Sequence, residues 1–102
     1  MLVNFSIVPI GKGSSLSTQI AEVLKIVDES GLNYKLHAMG TLLEGEWDKI
    51  FKLIEKCHKS LLGNSDRVLT SITIDDRKGQ INRITGKVES VERKLCKKLK
   101  KI

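Results

Sequence analysis

A chain of 102 residues with 40% hydrophobic content has room for one packed core and not for two, so a single domain spanning residues 1–102 is expected. The net charge of +6 is confined: residues 1–82 hold ten Lys and Arg against ten Asp and Glu, whereas Arg83 to Ile102 hold eight against two. This distribution, with aromatics at only 4%, argues against a broad nucleic-acid-binding face, and no stretch approaches the length of a membrane span.

Residues Leu2 to Ile10 alternate with period two. Val3, Phe5 and Ile7 fall on a core face, and Asn4, Ser6 and Val8 on a mixed face, as in a sheet covered by helices on one side. Pro9, which cannot donate to a ladder, is read as the strand's end. The loop Gly11-Lys12-Gly13-Ser14-Ser15 follows. It is either a turn whose serines cap the next helix or an anion site at that helix's N-terminus, and it lacks the phosphate-loop spacing. Leu16, Ile20, Val23, Leu24 and Val27 then recur at helical spacing, and Gly31 supplies a stop.

Alternation resumes from Asn33 to Met39, with Tyr34, Leu36 and Ala38 on the core face and Lys35, His37 and Met39 on the other. Gly40 offers the positive φ of a two-residue hairpin, and Thr41 to Glu44 returns as a short strand ending at Gly45. Glu44, placed where strand gives way to helix, has either a capping role or a ligand to hold. Glu46 to Leu62 reads as a second helix whose apolar side carries Trp47, Ile50, Phe51, Ile54, Cys57, His58 and Leu61. His58 on that side is expected to be a boundary residue with a hydrogen-bond partner, and Trp47 and Phe51 are expected to be core or interface anchors.

Arg67 to Asp75 is rich in β-branched residues, with Val68, Thr70, Ile72 and Ile74 facing one way and Leu69, Ser71, Thr73 and Asp75 the other. The cluster Asp75, Asp76, Arg77 and Lys78 is read as ordinary ion pairing rather than a metal or acid–base site. A third helix, about Thr85 to Leu99, shows Val88, Val91, Leu95 and Leu99 in a stripe too narrow for a central helix, so it should lie across a sheet edge or against another subunit. Its basic remainder is either an anion-binding surface or a solvated face.

The order strand, helix, strand, strand, helix, strand, helix predicts an α+β, ferredoxin-like βαββαβ sandwich with an additional C-terminal helix. His37 should share the open sheet face with Asn4, Ser6, Ser71 and Thr73. A small-polar face of this kind is either a subunit interface or a ligand groove. No nucleophile–base constellation or metal-ligand spacing occurs, so neither catalysis nor a metal nor a cofactor is expected. The RNA-binding module with the same element order does not fit, because the third strand has no aromatic and Phe5 faces the helices. Cys57 and Cys96, far apart and in helical patterns, are expected to be reduced, mostly buried thiols of a cytoplasmic protein. The N-terminus lacks the basic region and long apolar run of a signal peptide.

Several motifs together carry a resemblance that runs nearly the length of the chain. They are Ser6-Ile7-Val8-Pro9-Ile10-Gly11 with its serine-rich sequel, Met39-Gly40-Thr41-Leu42-Leu43-Glu44-Gly45, Ser65-Asp66-Arg67-Val68 leading to Ile74-Asp75-Asp76-Arg77, and Lys87-Val88-Glu89-Ser90-Val91. In these the sequence resembles the small thiamine-binding protein family, similar to the repeated domains of YkoF-type thiamine and hydroxymethylpyrimidine binders. The resemblance implies ferredoxin-like subunits whose sheets pair into homodimers and then a homotetramer. It also implies a non-enzymatic, cytoplasmic role in binding thiamine or a hydroxymethylpyrimidine-like precursor at sheet and subunit boundaries, without nucleic acid or membrane. On the matching positions, Glu44 would hold the ligand's charge, Ser6 and Thr41 its polar edge, and Met39 with Val8 or Leu43 its flat rings. His37 joins this set from its face alone. Were the ligand an anion, Ser14, Ser15 and Arg77 would be the candidates. The alternative function is an oligomeric regulatory or interaction module that recognises an anion or a protein partner.

Overall fold

The computed structural model describes residues 1–11, 16–79, 83–95 and 98–100, so the expectations for Ser14, Ser15 and Cys96 lie outside the described residues. Four strands, β1 (Leu2–Ile10), β2 (Asn33–His37), β3 (Gly40–Glu44) and β4 (Arg67–Asp75), form one antiparallel sheet in the order β2-β3-β1-β4. Three helices, α1 (Leu16–Glu29), α2 (Trp47–Leu62) and α3 (Arg83–Leu95), complete the expected βαββαβ plan with its added helix.

Period two sends Val3, Phe5 and Ile7 of β1 and Leu43 of β3 to one face. There they meet Val23 and Val27 of α1 and Ile50, Leu53, Ile54, Cys57 and Leu61 of α2 in a single buried cluster. Side chains such as Phe5, Leu43, Ile50 and Leu61, each at most 1% exposed, contribute about 1.5–3 kcal/mol apiece by burial. Burial also pushes the Cys57 thiol up to about 11. His58, half-buried on α2, binds Thr70 Oγ1 through Nδ1 at 2.7 Å, as a boundary histidine should. Of the two roles expected for Trp47, the core one does not hold within the chain: it packs on Phe51 with ring centroids 4.7 Å apart but is 55% exposed, and Leu53 lies in the core instead.

The central feature is a mismatch of register. β1 pairs with β4 along its whole length, Leu2↔Asp75 to Ile10↔Arg67, but with β3 only from Leu2↔Glu44 to Phe5↔Thr41. Beyond Phe5, β1 has a neighbour on one side only. Pro9 therefore does not end the strand. It sits opposite Val68 in a stretch where one ladder is absent, so its missing N–H leaves no partner on the β3 side unsatisfied.

The hairpin that stops short of β1's far end is also built differently from expectation. His37 pairs with Gly40, the two-residue turn is Ala38-Met39, and Gly40 is not among the positive-φ glycines Gly11, Gly31 and Gly79. What Gly40 supplies is room: a Cβ there would lie 2.7 Å from the Phe5 carbonyl oxygen and 3.3 Å from Asn4 Oδ1. Gly31, with φ of 77°, ends α1 as expected.

Candidate functional site

The notch left beside β1 becomes a cavity of about 490 Å³, closed on one side by Ile20, Val23 and Leu24 of α1 and on the other by the β2–β3 hairpin. Because it wraps the unpaired edge of β1, residues from both faces of that strand reach it: Phe5 and Ile7 from the helix-covered face, Ser6 and Val8 from the open one. Leu36, His37, Ala38, Met39, Gly40 and Thr41 form the hairpin wall. Every described lining residue is uncharged or histidine.

His37 is fixed at both nitrogens. The Met39 backbone N–H donates to Nδ1 at 3.2 Å, so Nδ1 carries no hydrogen, and Nε2–H donates to Asn4 Oδ1 at 2.7 Å. Asn4 thereby ties β1 to the end of β2 across β3, and His37 ties down the turn whose Met39 forms part of the rim. These bonds pass over Gly40, whose missing side chain leaves space for the imidazole: a Cβ there would lie 3.4 Å from His37 Cε1. Met39 itself is 81% exposed, an apolar side chain held at the cavity mouth.

Of the residues expected to bind a ligand, Ser6, Val8, His37, Met39 and Thr41 line this cavity together. Thr41 does so from the helix-covered face, buried beside Phe5, and not from the open face. Leu43 and Glu44 stand apart. Leu43 shares Thr41's face two residues further along β3, where the core closes over it completely, so it offers no surface to a ligand. Glu44 lies at the Leu2 end of the sheet on the opposite face, and its Oε1 accepts the Ile84 backbone N–H at 3.3 Å. The carboxylate thus meets the positive end of α3 and has the capping role, toward α3 rather than the helix next in sequence.

Of the expected anion set, only Arg77 lies among the described residues. Gly11, which leads into the serine loop, follows the Ile10 end of β1, whereas Arg77 follows Asp75 at the Leu2 end. A nine-residue strand, roughly 30 Å of chain, separates the two.

Sequence reading missed Asn4 as the partner of His37, and missed Ile20, Leu24, Leu36 and Ala38 as cavity walls. The α1 residues carried an ordinary core signal, and nothing in their spacing shows that the strand beneath them lacks a neighbour. Leu36 carried one clue, since an apolar residue near a hairpin tip has little sheet to cover it; it is 40% exposed. Among the described residues no three His, Cys, Asp or Glu side chains are placed to hold a metal ion, and no helix is long and apolar enough to cross a membrane. The third helix buries Ile84, while Val91 and Leu95 of its stripe are exposed.

Comparison with known proteins adds a family to this geometry. A family model described as thiamine-binding protein matches residues 3–92. The UPF0045 protein MJ1052 of Methanocaldococcus jannaschii is 35% identical over 91 residues, covering 89% of this chain and 91% of its own. The UPF0045 protein YqgV of Bacillus subtilis is 35% identical over 100 residues, covering 92% and 96%. The crystal structure of MJ1052 superposes with a TM-score of 0.81 at 36% identity, covering 88% of this chain and 93% of that one. A putative thiamine biosynthesis/salvage protein from Thermotoga maritima superposes with a TM-score of 0.77 at 23% identity, covering 88% and 96%, which establishes likeness of fold.

Proposed function

Because the chain belongs to the thiamine-binding protein family, we propose that it is a non-enzymatic, cytoplasmic small-molecule binding protein whose ligand occupies the notch cavity beside β1. The ligand class is thiamine or a hydroxymethylpyrimidine-like precursor, and the cavity favours the precursor. The observation that carries this reading is the lining. Two hydroxyl residues and one imidazole converge among apolar walls, with no carboxylate among the described lining residues to neutralise a thiazolium. A neutral aminopyrimidine needs a polar edge and a flat apolar slab. Ser6 and Thr41 supply the first, and Val8, Leu36 and Met39 the second.

The role is binding rather than acid–base chemistry. The cavity's one titratable side chain among the described lining residues, His37, already spends both nitrogens on Met39 and Asn4, so it shapes the wall and is not poised to move a proton. The subunits assemble as homodimers into a homotetramer. Support comes from the open face, where Val8 and Leu69, opposite each other in the β1–β4 register, are 44% and 48% exposed and adjoin the cavity mouth.

Isothermal titration of the purified protein with hydroxymethylpyrimidine and with thiamine tests the reading. Saturable binding of the pyrimidine at micromolar affinity, about −8 kcal/mol, with thiamine at least tenfold weaker, is the expected result. Flat heats for both overturn the ligand assignment. Thiamine as the tighter ligand overturns the argument from the uncharged lining.

A further inference from the structure

We propose that Asn4 is a positioning residue for the notch and, with His37, forms a proton-sensitive clasp on the cavity wall, closed while the imidazole is neutral and opened by acid. This inference rests on the notch as the ligand site and adds regulation of that site: the ligand is held at neutral pH and released in acid.

The two sides of the ring respond differently to a proton. Nε2–H donates to Asn4 Oδ1 at 2.7 Å, and it does so in the neutral and the charged imidazole alike. Nδ1 accepts the Met39 backbone N–H at 3.2 Å, and a proton added there sets one donor against another. The bond lost is the one that ties down the two-residue turn Ala38-Met39, so protonation acts on the hairpin and not on β1. Met39 is exposed, and little packing holds the turn once that bond is gone. The closed hairpin thus binds one proton fewer than the open one, and acid favours the open form.

The groups that face the ring do not offset this cost. On the open face β3 brings Gly40 and Leu42, β1 brings Asn4 and Ser6, and β4 beyond them brings Ser71 and Thr73. Its own strand brings Lys35, two residues away on the same face, and a second cation there opposes an imidazolium. From α1, across the cavity, come Ile20, Val23 and Leu24. Glu44 lies four residues from Gly40 along β3, roughly 13 Å away, with its carboxylate on the Ile84 N–H. A charged His37 is therefore stabilised by water, and Nδ1–H reaches water only by leaving the turn.

The experiment uses the full chain and separates the clasp from the ligand. Without ligand, NMR follows the His37 ring nitrogens and the Met39 amide from about pH 8 to about pH 5, the range in which histidine titrates. The neutral ring should carry its hydrogen on Nε2. Met39 amide protection, corrected for intrinsic exchange, should fall about tenfold as His37 takes up its proton. Asn4→Asp places a carboxylate against Nε2–H, favours the charged ring and should move the opening to higher pH. Calorimetry with hydroxymethylpyrimidine then compares wild type with His37→Asn, whose amide oxygen still accepts the N–H two residues on but does not titrate. The aminopyrimidine itself takes up a proton in acid, and both proteins share that effect. Between the two ends of the pH range, wild-type affinity should fall about tenfold further than that of the variant. Circular dichroism verifies that each protein is folded. A neutral ring with its hydrogen on Nδ1, Met39 protection that ignores His37 protonation, or equal loss of affinity in wild type and His37→Asn overturns the proposal. Heats that are flat at every pH, with Met39 protection still tracking His37, overturn the ligand assignment and support the clasp.

Discussion

Leu2 and Val8 lie on the same strand and point to the same open face, yet Leu2 is 8% exposed and Val8 is 44% exposed. Composition does not separate them, and neither does period two. The difference is in their neighbours. Leu2 has Glu44 on one side and Asp75 on the other, and Glu44 draws the start of α3 onto that end of the sheet. Val8 has Leu69 on one side and, on the other, the cavity. On this face one end of β1 is therefore flanked by strands on both sides and met by α3, and the other borders a site, because a five-residue β3 runs beside a nine-residue β1.

The contrast can be broken most severely in the hydrophobic core that underlies both ends. Leu61→Ala, at a fully buried position, should lower unfolding free energy by about 2–5 kcal/mol in chemical denaturation, through lost burial and the cavity left behind. Cys57 in the same core gives a pH signature. Its thiol, ordinarily at 9.0, stands at about 11 because burial disfavours the thiolate. In the unfolded chain it ionises first, so its contribution is complete below pH 9 and is lost as pH rises toward 11. The loss should be on the order of 2 kcal/mol, and Cys57→Ala should flatten that alkaline slope.

Gly40→Ala tests the join between the two ends. A methyl 2.7 Å from the Phe5 carbonyl oxygen must displace either β1 or the hairpin, at about 1–3 kcal/mol. Because the hairpin is the cavity wall, pyrimidine affinity in the same variant should fall at least tenfold in calorimetry. Glu44→Gln separates cap from ligand: it should cost about 1 kcal/mol of stability in denaturant and leave pyrimidine affinity unchanged. Leu36→Ser has the smallest effect on folding, expected within about 1 kcal/mol for a side chain 40% exposed, yet it should weaken binding measurably in the same titrations.

These expectations mark how far the sequence could be read. The strands, the two sandwich helices and the sorting of Val3, Phe5 and Ile7 inward followed from periodicity, since faces are a local property of a strand. His37 and Asn4 were placed on one face for the same reason. The position of Glu44 and the exposure of Val8 depend on which strand ends where, and register joins residues some forty apart in sequence. Alternation within Thr41 to Glu44 separates Thr41 from Glu44, but a ligand motif read as a continuous stretch does not respect that alternation. Gly40 shows the same limit: its type signalled a turn, while the reason for it is the Phe5 carbonyl on a different strand.

The most direct test of the account is an amide chemical-shift titration with hydroxymethylpyrimidine, because it locates the ligand rather than merely detecting it. The expected perturbations cluster at Ser6 to Val8, Leu36 to Thr41 and Ile20 to Leu24, with Leu43, Glu44 and α3 silent. Perturbations centred on Glu44 and Ile84, with the notch residues unmoved, would contradict it.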